Sequence, residues 1–235
     1  MDVVGDLVDR DRRRKEPLVY GAGSQPYTAH KFCTDAWKAA SLFRYHGVGP
    51  GRSVAVADDP SAPALLALFG AALLGTTVEF GLADATDPRL AVGPAATVAE
   101  LAVVPGTKRV AYGGEVDDPA VIEFERGIWS ENPTMPPDRV APDAALLVAE
   151  GETYDHGRLL AAAERTVAET GLDGPDAVAV RSSLTHPGTV VAGVLAPLLA
   201  EAAIVLPGAD RDGTVAVAAG EAPESVGIDP AEAAP

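Results

Sequence analysis

The side chains of this chain that could do chemistry are few: four histidines, a single cysteine, and some clustered hydroxyls and carboxylates. His186 is the most suggestive, because Ser182, Ser183 and Thr185 stand just before it, after a run with the pattern of a buried parallel strand. A histidine in the loop after such a strand lies where α/β folds bind ligands, and the competing reading is an ordinary solvated loop histidine. Hydroxyls beside an imidazole also suggest acyl transfer. A nucleophile elbow needs Gly-x-Ser-x-Gly between strand and helix, however, and the run Arg181, Ser182, Ser183, Leu184 has neither glycine. Asp58 and Asp59 end another strand, a place suited to a cation, yet in so acidic a chain a solvated pair is the simpler reading. No two histidines have metal-ligand spacing, and His30 and His46 flank one helix as surface or capping residues. No catalytic residue, metal or cofactor is therefore assigned. Cys33 sits at helical spacing among Phe32, Ala36, Trp37 and Ala40, which makes it a core thiol and leaves no disulfide framework.

The elements that position these residues are written twice. Residues 27–80 pair with residues 154–206, each copy running from a tyrosine through a helical stretch, a Gly-rich turn, a Val-Ala-Val strand (from Val54 or Val178), a polar loop with proline, and an apolar helix. A repeated strand and helix unit implies right-handed crossovers and parallel sheets. Thr28 can cap a helix running to Tyr45 with Gly47 ending it, and its counterpart runs from Asp155 to Thr170 with Gly171 as the stop. Val3, Val4, Leu7 and Val8 have helical spacing and the bases at 10–15 suit that helix's C-terminal end; a basic arm for nucleic acid is the sharper alternative. A hairpin turn is expected at 21–25. The run 131–138 has three prolines in eight residues and reads as a linker. The expectation is thus an α/β protein of two pseudo-repeated lobes, each a mostly parallel sheet with helices on both faces: residues 1–130, a Pro-rich linker at 131–141, residues 142–220, and a loose acidic tail at 221–235.

Composition sets the class of partner. With 34 acidic against 18 basic residues, four of them lysine, the net charge of -16 repels nucleic acid and anionic lipid. An Asp-rich, lysine-poor chain fits a salt-loving cytosol, where screening relieves self-repulsion; a GC-rich genome is the alternative. The start of the chain lacks the apolar stretch of a signal peptide, and the apolar run 62–78 is broken by Gly70 and Gly75, so the chain is expected to be cytoplasmic and free of the membrane.

Taken in order, several stretches resemble the adenylate-forming superfamily of acyl-CoA synthetases, luciferases and adenylation domains. GVGPGRSVAVADDPSAPALLALFGAALLGTTVEF is similar to its Gly-x-x-Pro-Gly-Asp-x-Val strand and following helix, with Arg52 at the aspartate; APDAALLVAEG resembles the strand feeding its phosphate loop. HGRLLAAAERT is similar to its His-x-Asn-Leu helix, with His156 in a helix-start role and Arg158 for the asparagine. LTHPGTVVAGVLAPLLAEAAIVL resembles the segment with a Phe-His step near the acyl pocket, with Thr185 and His186 in those places. The resemblance covers residues 3–208 and implies that family's large domain, itself built of two related α/β lobes.

The resemblance also defines what departs from it. The family holds the ATP phosphates in a Ser-, Thr- and Gly-rich loop ending Pro-Lys-Gly, because the leaving pyrophosphate carries dense negative charge. Here only residues 149–155 fill that place, with Glu150, Gly151, Glu152 and Thr153 as a degenerate phosphate loop without lysine, and Glu150, Glu152 and Asp155 bringing carboxylates toward the phosphates. Nothing after Gly208 resembles the family's adenine motif, ribose aspartate, hinge or catalytic lysine. The expectation is a catalytically degenerate synthetase-like protein that binds a protein partner, a second copy of itself, or an acyl-type small molecule through Ser182, Ser183, Thr185 and His186. The alternative is a fragment of an adenylate-forming acyl-CoA ligase completed by another subunit.

Overall fold

The computed structural model describes residues 1–23, 25–83, 85–137 and 139–235. Ser24 in the expected turn, Asp84 in the acidic loop before Leu90, and Asp138 in the expected linker lie outside the described residues. The chain forms β1 (Pro17–Tyr20), β2 (Tyr27–Thr28), α1 (Ala29–Tyr45), β3 (Ser53–Val56), α2 (Ala62–Ala72), β4 (Thr77–Phe80), β5 (Leu90–Pro94), α3 (Ala95–Glu100), β6 (Lys108–Tyr112), β7 (Ile122–Glu123) and α4 (Phe124–Ser130). It continues with β8 (Ala145–Ala149), β9 (Glu152–Asp155), α5 (His156–Thr170), β10 (Ala177–Val180), α6 (Pro187–Val190), a π-helical turn (Val191–Leu195), α7 (Ala196–Ala200), β11 (Ala203–Val205), β12 (Val215–Val217) and β13 (Val226–Ile228). The helix boundaries follow local chemistry. Thr28 Oγ1 accepts from the Lys31 amide at the start of α1, Asp155 Oδ1 accepts from the Arg158 amide at the start of α5, and Gly171 closes α5 at φ 68.

Two sheets result, α/β and mostly parallel. One has the order β7-β6-β5-β3-β4-β8-β9 and the other β13-β12-β10-β11-β1-β2. Among the described residues only the hairpins β1-β2 and β8-β9 pair antiparallel. Each of them lies at the edge of a sheet next to a parallel strand from the other half of the chain, Val19 opposite Ile204 and Leu147 opposite Val78. The sheets do not follow the expected division at 131–141: β1 and β2 pair with the strands from Ala177 onward, and β8 and β9 join those that run up to Glu123. The physical reason is pairing at long sequence separation, which no local pattern specifies.

One continuous apolar cluster joins both sheets and includes Phe32, Trp37, Phe43, Phe69, Leu147 and Val194. Close helix packing comes from small residues: a Cβ on Gly70 of α2 would lie 3.1 Å from the Ala40 backbone nitrogen of α1. Two further expectations are corrected. The segment 221–235 is not loose, since β13 pairs with β12, and Ile228 and Ala233 are buried. Its few apolar residues suffice because they land on the helix 187–200, where the Pro230 carbonyl rests against Gly188. The N-terminal helix is two 3-10 turns, Val4–Val8 and Arg10–Arg12, and its bases are used internally. Arg12 and Arg14 pair with Glu201, and Arg13 stacks on Trp37.

Candidate functional site

The carboxyl ends of β10, β12 and β13 face one way, because those strands are mutually parallel, and the loops that follow them enclose a cavity of about 660 Å³. Ser182, Ser183, Thr185 and His186 line it from the loop after β10, and Glu150 enters from the tip of the β8-β9 hairpin in the other sheet. The sequence thus names five residues that the fold brings together. Gly151 is exposed at the hairpin tip. Glu152 and Thr153 lie in β9, off the cavity, where Glu152 meets the Arg158 guanidinium at 2.9 Å. Of the three carboxylates expected to converge, Glu150 alone does so. Asp155 is occupied capping α5.

The chemistry of the loop is mostly structural. His186 caps α6, its Nδ1 accepting from the Gly188 amide at 3.2 Å, so the ring proton is at Nε2, 3.9 Å from Glu150 Oε1. Ser183 Oγ donates to Asp58 Oδ2 at 2.7 Å and the Leu184 amide donates to Asp58 Oδ1 at 2.8 Å. Thr185 Oγ1 lies 2.5 Å from the same serine hydroxyl, and Ser182 Oγ accepts from the Ala219 amide at 3.1 Å. The His186 ring is engaged by the Gly188 amide, and among the described residues no hydrogen bond joins it to either serine hydroxyl. Asp58 is a tie between the sheets rather than half of a solvated pair. Asp59 accepts from the Tyr112 hydroxyl at 2.8 Å, and among the described residues no cluster of three ligating side chains could hold a metal.

Arg181 points its fork at Glu224, with Nε 2.8 Å from Oε2; the hydrogen bond holds the guanidinium pKa above and the carboxyl below their usual values. That pair, with Glu221 and Asp229 at the rim, was missed by sequence reasoning because it rests on the segment 221–235, whose short Val-Gly-Ile strand is the only signal of order there.

The other candidates fall elsewhere. His156 is fully buried at the start of α5; the Val4 amide donates to its Nδ1 at 3.1 Å, its Nε2 has no hydrogen-bond partner among the described residues, and burial pushes its pKa down to about 4. His46 ends α1 with Lys108 Nζ at 3.2 Å from its Nδ1; burial, then Lys108 and Arg89, lower its pKa. His30 is exposed. Cys33 is buried, and burial pushes its thiol up to about 11, too high for a nucleophile at neutral pH.

No family model matches the sequence, and no curated protein matches it. Solved structures do. The anthranilate CoA ligase AuaEII in complex with anthranoyl-AMP superposes with TM-score 0.78 at 15% identity, over 92% of this chain and 49% of that one. A benzoate CoA ligase from Burkholderia xenovorans LB400 gives 0.74 at 17% identity, over 92% and 50%. The N-terminal domain of FACL13 from Mycobacterium tuberculosis gives 0.72 at 12% identity, over 93% and 63%. The chain therefore has the fold of the large domain of adenylate-forming enzymes, and it spans about half the length of the first two ligases. Among the described residues no helix is long and apolar enough to cross a membrane.

Proposed function

We propose that this chain is a catalytically degenerate acyl-CoA synthetase-like protein, which binds a partner protein or an acyl-type small molecule and makes no acyl adenylate. One observation carries the reading. At the place where the resemblance puts a phosphate loop, β8 and β9 are joined by the two-residue turn Glu150, Gly151, with φ 54 and φ 79 and Ala149 paired directly to Glu152. Both positive φ values mark a type I′ hairpin turn. Such a turn has its flanking amides in the sheet ladder and too few residues to wrap a triphosphate, whereas phosphate capture needs several free amides or a helix N-terminus. It adds the Glu150 carboxylate to the cavity, and a like charge near phosphate costs on the order of 1 kcal/mol or more at about 4 Å. The cavity with His186 and the neighbouring hydroxyls keeps room for a small ligand.

The same reading takes the two halves of the chain as copies of one unit that have exchanged their hairpins. In support, β3, β4 and β5 follow each other in the fold as β10, β11 and β12 do. Acid-dependent exchange of pyrophosphate into ATP, run with benzoate, anthranilate and fatty acids, tests the proposal: no exchange above the protein-free blank is expected, and exchange with any of them would overturn it. A second reading, a ligase fragment completed by another subunit, is favoured by the half-length match to the ligases. Native mass spectrometry of the purified protein, with sequencing of any companion, separates the two, since only the second requires a companion chain that carries adenine, ribose and lysine motifs of the adenylate-forming type.

A further inference from the structure

The two most exposed large aromatic residues among those described, Trp129 at 83% and Tyr45 at 80%, line one groove of about 700 Å³ that shares no lining residue with the cavity around His186. The other tryptophan shows what is normal for this chain: Trp37 is 1% exposed and its Nε1 donates to the Val8 carbonyl. The groove is lined by apolar Leu42, Val121 and Ile122 and by the carboxylates Asp118, Glu123 and Glu131, with Arg126 as the one lysine or arginine among its lining residues. Asp118 is already held by Arg109, so Glu123 and Glu131 are the acids left to a visitor. The stretch that builds it, residues 115–131, carries six carboxylates and a single base, Arg126. Along one side runs β7, the terminal strand of its sheet, whose outer edge pairs with no other strand among the described residues. Open edges accept extended chains. An exposed aromatic face attracts cations and carboxylates attract them further.

We propose that this groove docks an extended segment of a partner protein bearing lysine or arginine side chains, which pair with Glu123 and Glu131 and lie over Trp129 and Tyr45. A second copy of the chain is the poorer occupant, because two bodies of net charge -16 repel. The inference is independent of the cavity around His186, and its failure leaves that reading intact.

The test is fluorescence anisotropy of a dye-labelled nonapeptide of alternating arginine and valine, in KCl at which the protein's circular dichroism is native. Saturable binding is expected, with a twin peptide carrying glutamate for arginine failing to bind. Trp129→Ala should weaken the basic peptide about fivefold or more, since a cation on an exposed ring contributes roughly 0.5–1 kcal/mol and the lost apolar contact adds to it. The pair Glu123→Gln and Glu131→Gln should do likewise. The pair Glu164→Gln and Glu169→Gln, an equal charge change on the exposed face of α5, should leave binding within about twofold, as separated surface charges are screened. Equal weakening by both pairs would show nonspecific attraction and overturn the proposal. So would binding of the acidic twin, or self-association by sedimentation that Trp129→Ala abolishes.

Discussion

Acidification should destabilise this protein through His156, and the size of the effect follows from the burial of its ring. The Val4 amide donates to Nδ1, so a proton arriving there would set two donors face to face inside a site where the ring is fully buried. Burial holds the folded-state pKa at about 4, against about 6.5 when the chain is unfolded. The unfolded state therefore binds the proton first. The stabilisation is complete above the unfolded pKa and is lost as pH falls toward the folded one, so this single group removes about 2 kcal/mol between pH 8 and pH 5 and about 3 kcal/mol in full. His156→Asn keeps an acceptor for the Val4 amide in its side-chain carbonyl and cannot titrate. Urea unfolding of both proteins at pH 8, 6.5 and 5 should show the variant less stable at pH 8, with the gap closing by about 2 kcal/mol at pH 5. Equal pH slopes, or a folded-state His156 resonance titrating near 6.5, would show that the buried ring does not set the pH dependence of stability.

Three further outcomes are expected. In Gly188→Ala the new Cβ would fall 1.7 Å from the Pro230 carbonyl oxygen, so the segment 221–235 must detach. The melting temperature should fall by roughly 5 °C or more and proteases should cut near Ala231, whereas an unchanged protein would mean that the segment is not docked there. Glu150→Asn replaces a residue strained at φ 54 by one that type I′ turns favour, and should stabilise by about 0.5 kcal/mol; destabilisation would argue against that turn. Stability should rise with KCl, because the acidic residues repel over a Debye length of about 30 Å in 0.01 M salt and about 3 Å at 1 M. An unchanged melting temperature from dilute buffer to molar KCl would remove the case for a salt-loving cytosol.

What the sequence made legible was local or repeated. Thr28, Asp155, Gly47 and Gly171 marked the ends of the long helices, since caps and αL residues act within a turn of their own position. The strands at Val54 and Val178 were visible as buried β-branched runs. The site loop at 182–186 was legible for the same reason, as the stretch between such a strand and a proline-started helix. The rest depends on where distant segments meet. Nothing near Leu147 says that it pairs with Val78 rather than with a strand of its own half, and nothing in Asp58 announces that it will hold the Ser183 hydroxyl. The segment 221–235 looked too poor in apolar residues to order, yet a short parallel strand and one close backbone contact at Gly188 place it. Glu152 and Asp155 misled because charge type shows in a sequence and direction does not: one turns to Arg158 and the other caps a helix.

Calorimetric titration with magnesium and ATP reads out whether the Glu150, Gly151 turn has replaced a phosphate-binding loop. No saturable heat is expected up to millimolar nucleotide, under salt conditions where the protein is folded. A dissociation constant near 10 μM, which corresponds to roughly 7 kcal/mol of binding free energy, would mean that the chain still holds nucleotide phosphates.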